Sequence, residues 1–269
     1  MDKVAIVVSS CDYFEDCWEP FIYSLRKYWP DCRFPVYIIS NFKEIANKDL
    51  VTFIKVGVDK GWASNYKKAL MTLDYEYIIY FQEDYFLCNS VNNEWINRHL
   101  KYIEEHNVDY LRLEYPHNKN QRQCDRYSID NTYYASSPLS YKFALNLQAA
   151  IWRKDILFSL LIDGQSGWDY EANVNSYVIK NHIKIKSLTV HSKIPKDWCL
   201  TYVNGTAVRK GMWTQAGYDF LIKNGFNDLA KGRRVEGKLI TRLMHTYRFP
   251  FRQISAVILR ILQKYKLNI

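Results

Sequence analysis

Apolar positions follow two alternating rhythms over the first third of the chain. Nearly unbroken apolar runs at residues 4–9, 35–40 and 77–81, rich in Val, Ile and Tyr, predict strands buried on both faces of a parallel sheet. Residues 51–56 predict a further short strand. Between the first two runs, Trp18, Phe21, Ile22, Leu25 and Trp29 recur at three- and four-residue spacing, which predicts a helix. Pro20 falls in its first turn, where a missing N–H costs little. Tyr66, Ala69, Leu70 and Leu73 predict a second helical face ahead of the 77–81 run. Strand, helix, strand, strand, helix, strand is the rhythm of an α/β domain with a mainly parallel central sheet flanked by helices.

The rhythm continues with a predicted helix over 94–105 and a strand over 109–113. Residues 116–138 are polar and poor in aliphatic side chains, and predict an irregular segment of a kind more often functional than idle. Helices are predicted near 154–161 and 170–180, and a strand near 184–190. From Lys231 the chain turns basic, and residues 251–269 carry Ile254, Ile258, Ile261 and Tyr265 on one stripe, the pattern of an amphipathic helix. The expected division is a catalytic domain over 1–230 and a basic, helical C-terminal appendage over 231–269.

Charge sharpens that division. The net charge is +9, yet residues 231–269 hold ten Lys or Arg and one acid, so the preceding residues are neutral. A neutral body is not expected to bind nucleic acid, which needs a basic stripe across the fold. A basic tail with an apolar stripe suits an anionic membrane surface, or packing on the catalytic body or another copy. The six cysteines show no CxxC pair and no zinc-like spacing, so reduced thiols in a cytoplasmic protein are expected, with peripheral attachment to the inner face of the cell membrane. The 4–8 run is too short for a leader peptide, and no stretch approaches the ~20 apolar residues of a spanning helix.

Candidate chemistry sits at strand ends. The 77–81 run delivers Gln82, then the carboxylates Glu83 and Asp84, before apolar residues resume. In open parallel sheets ligands bind outside the carboxyl ends of strands, and paired acids there suit Mg²⁺ or Mn²⁺ bridging phosphate oxygens. A solvated turn is the plain alternative. The first strand ends in Ser10, Cys11, Asp12 and Tyr13; Asp12 is placed to accept hydrogen bonds from a base or ribose, or to cap the next helix, and Tyr13 to stack. Asn65 and Lys67 open the second helix, whose N-terminus favours an anion. No GxGxxG, GxxxxGK[ST] or GxSxG occurs, which argues against dinucleotide oxidoreductases, P-loop enzymes and α/β-hydrolases. Two other readings stay open: a sugar nucleotidyltransferase, which would need a Gly-rich basic loop after the first strand, and a non-catalytic carbohydrate-binding protein, which the 22 tyrosines would suit.

Several segments carry a resemblance. Ser10-Cys11-Asp12-Tyr13 with Asp16, Trp18 and Pro20-Phe21, then Trp29-Pro30-Asp31 and Val36-Tyr37-Ile38, resemble the opening of bacterial polysaccharide-assembly glycosyltransferases of the glycosyltransferase-A fold. The 80–87 run resembles the acidic Asp-x-Asp segment of that fold, with Gln82 in place of its first Asp. The segment 146–153 with Gly167-Trp168-Asp169-Tyr170-Glu171 is similar to their acceptor side, and 203–213 to a closing motif.

The resemblance implies hexose-type transfer from a nucleotide-diphosphate donor, a UDP-sugar in the favoured reading, to a glycan or lipid-linked acceptor, metal-assisted and inverting. Ser10, Asp12, Tyr13, Asn65, Lys67, Glu83, Arg209 and Lys210 would bind the donor. Asp84, with Glu83 and His191, would hold the metal. Trp168 and Gln148 would meet the acceptor. Asp169, or else Glu171, would be the base, with helix capping the other role open to Asp169.

Overall fold

The computed structural model describes residues 3–46, 50–113, 126–129, 132–136, 139–140, 144–192 and 200–237. The chain divides into two compact units, Met1–Gly205 and Thr206–Ile269.

The first unit is built on a nine-stranded sheet. Its strands are β1 (Val4–Ser9), β2 (Val36–Ser40), β3 (Thr52–Lys55), β4 (Tyr77–Gln82), β5 (Tyr110–Arg112), β6 (Arg126–Ile129), β7 (Thr132–Ser136), β8 (Ala150–Arg153) and β9 (Ser187–Ser192), in the order β3-β2-β1-β4-β8-β5-β9-β7-β6. β3, β2, β1 and β4 are mutually parallel. β8 runs against both β4 and β5, β9 is parallel to β5, and β7 runs against both β9 and β6. Only β7 and β8 therefore oppose the common direction, and the α/β class with a mainly parallel sheet is the one observed.

Burial explains the unbroken runs. All six residues of β1 are buried, because helices cover both faces. On one face lie α2 (Trp62–Met71), α4 (Lys154–Leu160) and α5 (Gly167–Lys180), whose Tyr66, Ala69, Leu70, Leu157, Tyr170 and Val174 pack on Ala5, Val7, Ile78 and Tyr80. The alternate residue Phe81 meets Phe21 of α1 (Trp18–Tyr28). α3 (Asn93–Glu105) stacks Tyr102 on Tyr134 of β7, with centroids 3.8 Å apart.

Two regions differ from expectation. The segment predicted irregular contains the β6–β7 hairpin, whose polar strands lack the apolar signature of a buried strand. β8 is a four-residue strand that was not expected, and it is one of the two, with β7, that run against the rest of the sheet. The amphipathic stripe at 251–269 lies outside the described residues.

The second unit, through Gly237, contains the hairpin β10 (Val208–Arg209) and β11 (Met212–Trp213), then α6 (Gln215–Lys223) and α7 (Asn227–Lys231). Lys210 and Gly211 both have positive φ, at 51° and 76°, the pattern of a two-residue hairpin turn. Residues 234–236 bond to this hairpin: Trp213 N–H donates to the Arg234 carbonyl and Glu236 N–H to that of Trp213.

Candidate active site

Topology chooses the site. From β1 the chain moves outward through β2 and β3, then returns to the other side of β1 as β4. Such a reversal opens a crevice at the carboxyl ends of the two strands. The register pairs Val4 with Tyr77 through Ser9 with Gln82, so Ser10–Asp12 and Glu83–Asp84 leave adjacent strands at the same level.

Glu83 and Asp84 form a turn after β4 and are 8% and 4% exposed. Carboxylates this enclosed are costly unless they meet hydrogen-bond donors or cations. The antiparallel course of β8 brings the residues before it, Asn146–Ala149, beside this turn, since Ala150 pairs with Tyr80. The Leu147 amide donates to Glu171 Oε1 at 2.8 Å. The Glu171 carboxylate is half-buried, and its charge is felt by Tyr80 and Tyr85, which also feel Glu83 and Asp84 respectively. Burial pushes the Glu171 carboxyl above the usual range, against the lowering effects of the Leu147 amide and the Arg112 charge. Glu83 and Asp84 after β4 and Glu171 on α5, nearly 90 residues apart in the chain, thus act on the same two buried phenols.

Several other candidates are occupied. Ser10 Oγ accepts the Trp18 indole N–H at 2.8 Å. The Asp12 carboxylate, half-buried, accepts the amides of Asn41, Phe42 and Lys43 and so braces the loop after β2. Tyr13 is 70% exposed. Asn65 is buried and holds the turn before α2, donating to Asp59 Oδ1 at 2.7 Å and accepting from Lys60 N–H. Lys67 lies 3.7 Å from Asp163 and over the Phe158 ring. The N-terminus of α2 is itself partly filled, because Ala63 N–H donates to the Gln165 carbonyl and Gly164 N–H to Ser64 Oγ. Gly61, at φ 92°, permits that approach: a Cβ there would stand 3.3 Å from the Gly164 carbonyl oxygen.

On the acceptor side, α5 begins at Gly167 with Ser166 as its cap. The Asp169 carboxylate turns back to Ser166, accepting from its N–H and hydroxyl, while Ser166 Oγ accepts from Asp169 N–H. These bonds hold the exposed Asp169 carboxyl below its ordinary value. Trp168 is 78% exposed. Gln148 Oε1 accepts from Tyr202 OH. In the second unit Arg209 Nη1 lies 2.9 Å from the buried Glu236 carboxylate, and Lys210 is an exposed turn residue. His191 is on β9, three strands from β4 in the sheet, about 14 Å at the usual spacing.

Sequence reading missed Asp59, whose charge reaches the Cys11 thiol together with that of Glu83, and Arg112, buried at the end of β5. Asp59 carried a signal, an acid two residues before the Gly61 that precedes α2. Arg112 carried none, since 109–113 was predicted only as a strand. Ser166-x-x-Asp169 also has the capping-box spacing.

For a cation, the two consecutive carboxylates of Glu83 and Asp84 are hard oxygen donors and fit Mg²⁺ or Mn²⁺, which complete their shells with phosphate oxygens and water. Among the described residues no group of three or more His, Cys, Asp or Glu side chains forms a metal cage.

No protein-family model matches the chain, and no curated protein does. Solved structures give distant likenesses. S. aureus TarS 1-349 in complex with UDP-GlcNAc is 17% identical over 64% of this chain and 54% of that chain, at a TM-score of 0.44. Mycobacterium tuberculosis glucosyl-3-phosphoglycerate synthase in complex with Mn²⁺, UDP and phosphoglyceric acid is 10% identical over 71% of each chain, at 0.42. A cytidylyltransferase from Leptospira borgpetersenii is 14% identical over 68% of this chain and 73% of that chain, also at 0.42. The chain spans between half and two thirds of the TarS 1-349 chains it matches.

Proposed function

We propose that this protein is a nucleotide-sugar-dependent glycosyltransferase that inverts at the anomeric carbon, transferring a hexose-type sugar to a glycan or lipid-linked acceptor. What supports the reading is that buried Glu83 and Asp84 end β4 at the β1–β4 crevice, and that their charges and that of the half-buried Glu171 reach the same buried phenols, Tyr80 and Tyr85. Asp84 and Glu83 would hold a divalent cation, which when bound neutralises charge growing on the departing diphosphate. Glu171 takes the acceptor hydroxyl proton: one oxygen is fixed by the Leu147 amide, and its raised pKa makes it a better proton acceptor than an ordinary carboxylate. Asp169, committed to capping α5, is a positional element of that helix in this reading. The segment after β1, Ser10-Cys11-Asp12-Tyr13, has no glycine or basic residue, which disfavours a nucleotidyltransferase.

The whole chain would act at the inner membrane face, held by its basic C-terminal residues. Among the described residues no helix is long and apolar enough to cross a membrane. The deciding experiment is a thermal-shift and hydrolysis screen of UDP-glucose, UDP-N-acetylglucosamine and GDP-mannose with and without Mn²⁺. A Mn²⁺-dependent rise in Tm with slow donor hydrolysis is expected. Binding of free sugars without any nucleotide effect would move the protein to the carbohydrate-binding class.

A further inference from the structure

Two parallel phenols join the acidic turn to the carboxylate that takes the proton. Tyr85 follows Asp84 directly, and its amide closes the turn on the Gln82 carbonyl at 3.1 Å. Its side chain is 2% exposed and donates its hydroxyl to the Leu147 carbonyl at 2.9 Å. Leu147 in turn donates its amide to Glu171 Oε1 at 2.8 Å. The Tyr85 ring stacks on Tyr202, centroids 4.4 Å apart and planes within 13°, and Tyr202 OH donates to Gln148, the next residue along. Tyr202 is itself held by pairing of residues 86–88 with 201–203.

We propose that Tyr85 is a positioning residue that sets the spacing between the diphosphate-side acids, Glu83 and Asp84, and the proton acceptor Glu171. A phenol has only two torsions, and this one is buried and stacked, so it is a stiff spacer. One end is the backbone of the acidic turn; the other grips the residue whose amide grips Glu171. Inverting transfer needs such a spacer, because the departing diphosphate and the incoming hydroxyl lie on opposite faces of the anomeric carbon. A misplacement of about 1 Å between reacting groups costs about 100-fold in rate. The Tyr85 hydroxyl touches neither substrate nor proton in this scheme. Its hydrogen bond acts on Glu171 through Leu147.

The inference rests on Glu171 being the base, so the experiment separates the two. Tyr85→Phe removes one oxygen and keeps the stack on Tyr202. The groups facing Glu171 are Arg112 on β5, Tyr80 on β4, Tyr170 beside it on α5, and Tyr85 with the Leu147 amide. Of these only the last two change. Carboxyl-labelled glutamate followed by ¹³C NMR in the full chain should show the Glu171 pKa moving further upward in Tyr85→Phe, as the amide that lowers it loosens, and staying put in Tyr202→Phe. Hydrolysis of UDP-N-acetylglucosamine or UDP-glucose, with water as acceptor, should lose about 10- to 100-fold in kcat with donor KM within two-fold. An unmoved Glu171 titration overturns the proposal, whatever the activity. A Tyr85→Phe chain that no longer melts cooperatively overturns it as well, since the hydroxyl would then hold the fold rather than the carboxylate. Full turnover in Glu171→Gln instead defeats the assignment of the base and leaves the titration result to stand by itself.

Discussion

Asp12 and Asn41 hydrogen-bond each other in both directions: Asp12 N–H donates to Asn41 Oδ1 at 3.1 Å, and Asn41 N–H donates to Asp12 Oδ1 at 2.8 Å. With Phe42 and Lys43 also donating to the Asp12 carboxylate and Asn41 Nδ2 reaching the Gly57 carbonyl, the loops after β1, β2 and β3 form one unit. Asp12→Ala strands three backbone amides, and with solvent compensating in part the expected loss is about 1–2 kcal/mol. Thermal melting without ligand checks this. An unchanged Tm with weakened UDP binding would show instead that Asp12 serves the nucleotide directly.

Asp84→Asn should leave the fold intact, because the carboxamide matches the carboxylate in shape. Cation affinity should fall with the charge. Calorimetric titration of UDP with and without Mn²⁺ is expected to show Mn²⁺ strengthening binding to the parent chain and not to the variant, with turnover lower by about 100-fold or more, as for loss of one electrostatic group at a reacting centre. Equal turnover would remove Asp84 from the reaction.

How much of this was legible in the sequence depended on whether the signal was local. β1 and β4 announce themselves because burial on both faces forbids polar interruptions, and Glu83–Asp84 stood out as the acids that end such a run. β8 was hidden: its four residues, Ala150–Arg153, follow directly on Leu147–Ala149, with no glycine or proline to set them off. Without β8 nothing could place Leu147 beside the β4 turn, or say that Glu171 would be drawn inward while Asp169 stayed outside. The occupation of Asp12 was equally hidden, since its partners lie 29 to 31 residues away. The capping box around Ser166 was the reverse case, a local pattern present in the sequence that would have placed the start of α5 at Gly167.

Arg209→Ala should destabilise the second unit. Glu236 is 3% exposed and would lose the partner of its buried carboxylate, at an expected cost of about 1–3 kcal/mol, reduced by the partial exposure of Arg209. Glu236→Gln removes the buried charge along with the pair and should cost less. Urea denaturation of the three chains orders them. Were Arg209→Ala as stable as the parent but weak in donor binding, the arginine would be a diphosphate clamp.

Membrane attachment is tested by comparing the full chain with one ending at Gly237. Ending earlier, at Ala230, would also remove Glu236 and confound attachment with loss of the Arg209 pair. Lys238, Arg242, Arg248, Arg252, Arg260, Lys264 and Lys266 lie beyond the cut. At about 1 kcal/mol for each basic residue near an anionic surface, the full chain should float with phosphatidylglycerol vesicles at low salt and release at high salt. Equal, negligible flotation of both chains would end the membrane role.

Glu171 and Asp169 differ by half a turn of helix and by opposite pKa shifts, which gives a test with a sign. Burial raises the Glu171 carboxyl, so activity that needs it ionised should fall on acidification through a pKa above the ordinary glutamate value, not below it. The Ser166 bonds lower the Asp169 carboxyl, so an activity resting on that residue would persist to more acid pH. Stability runs the other way for Glu171. A carboxyl whose folded pKa is raised favours folding below its unfolded pKa and loses that contribution as pH rises through the folded value. At neutral pH the ionised side chain is therefore a burden on the fold. Glu171→Gln keeps an oxygen for the Leu147 amide and discards the charge, so it should melt at the same or a higher temperature while transfer falls by about 100- to 10,000-fold, the range for loss of a general base. Asp169→Asn should lower Tm slightly, through a weakened capping box, and keep transfer within a few-fold. Rates and melting curves for both variants from pH 4 to 8 decide the matter. A dead Asp169→Asn beside an active Glu171→Gln would return the proton to Asp169 and require the Ser166 cap to open during the reaction.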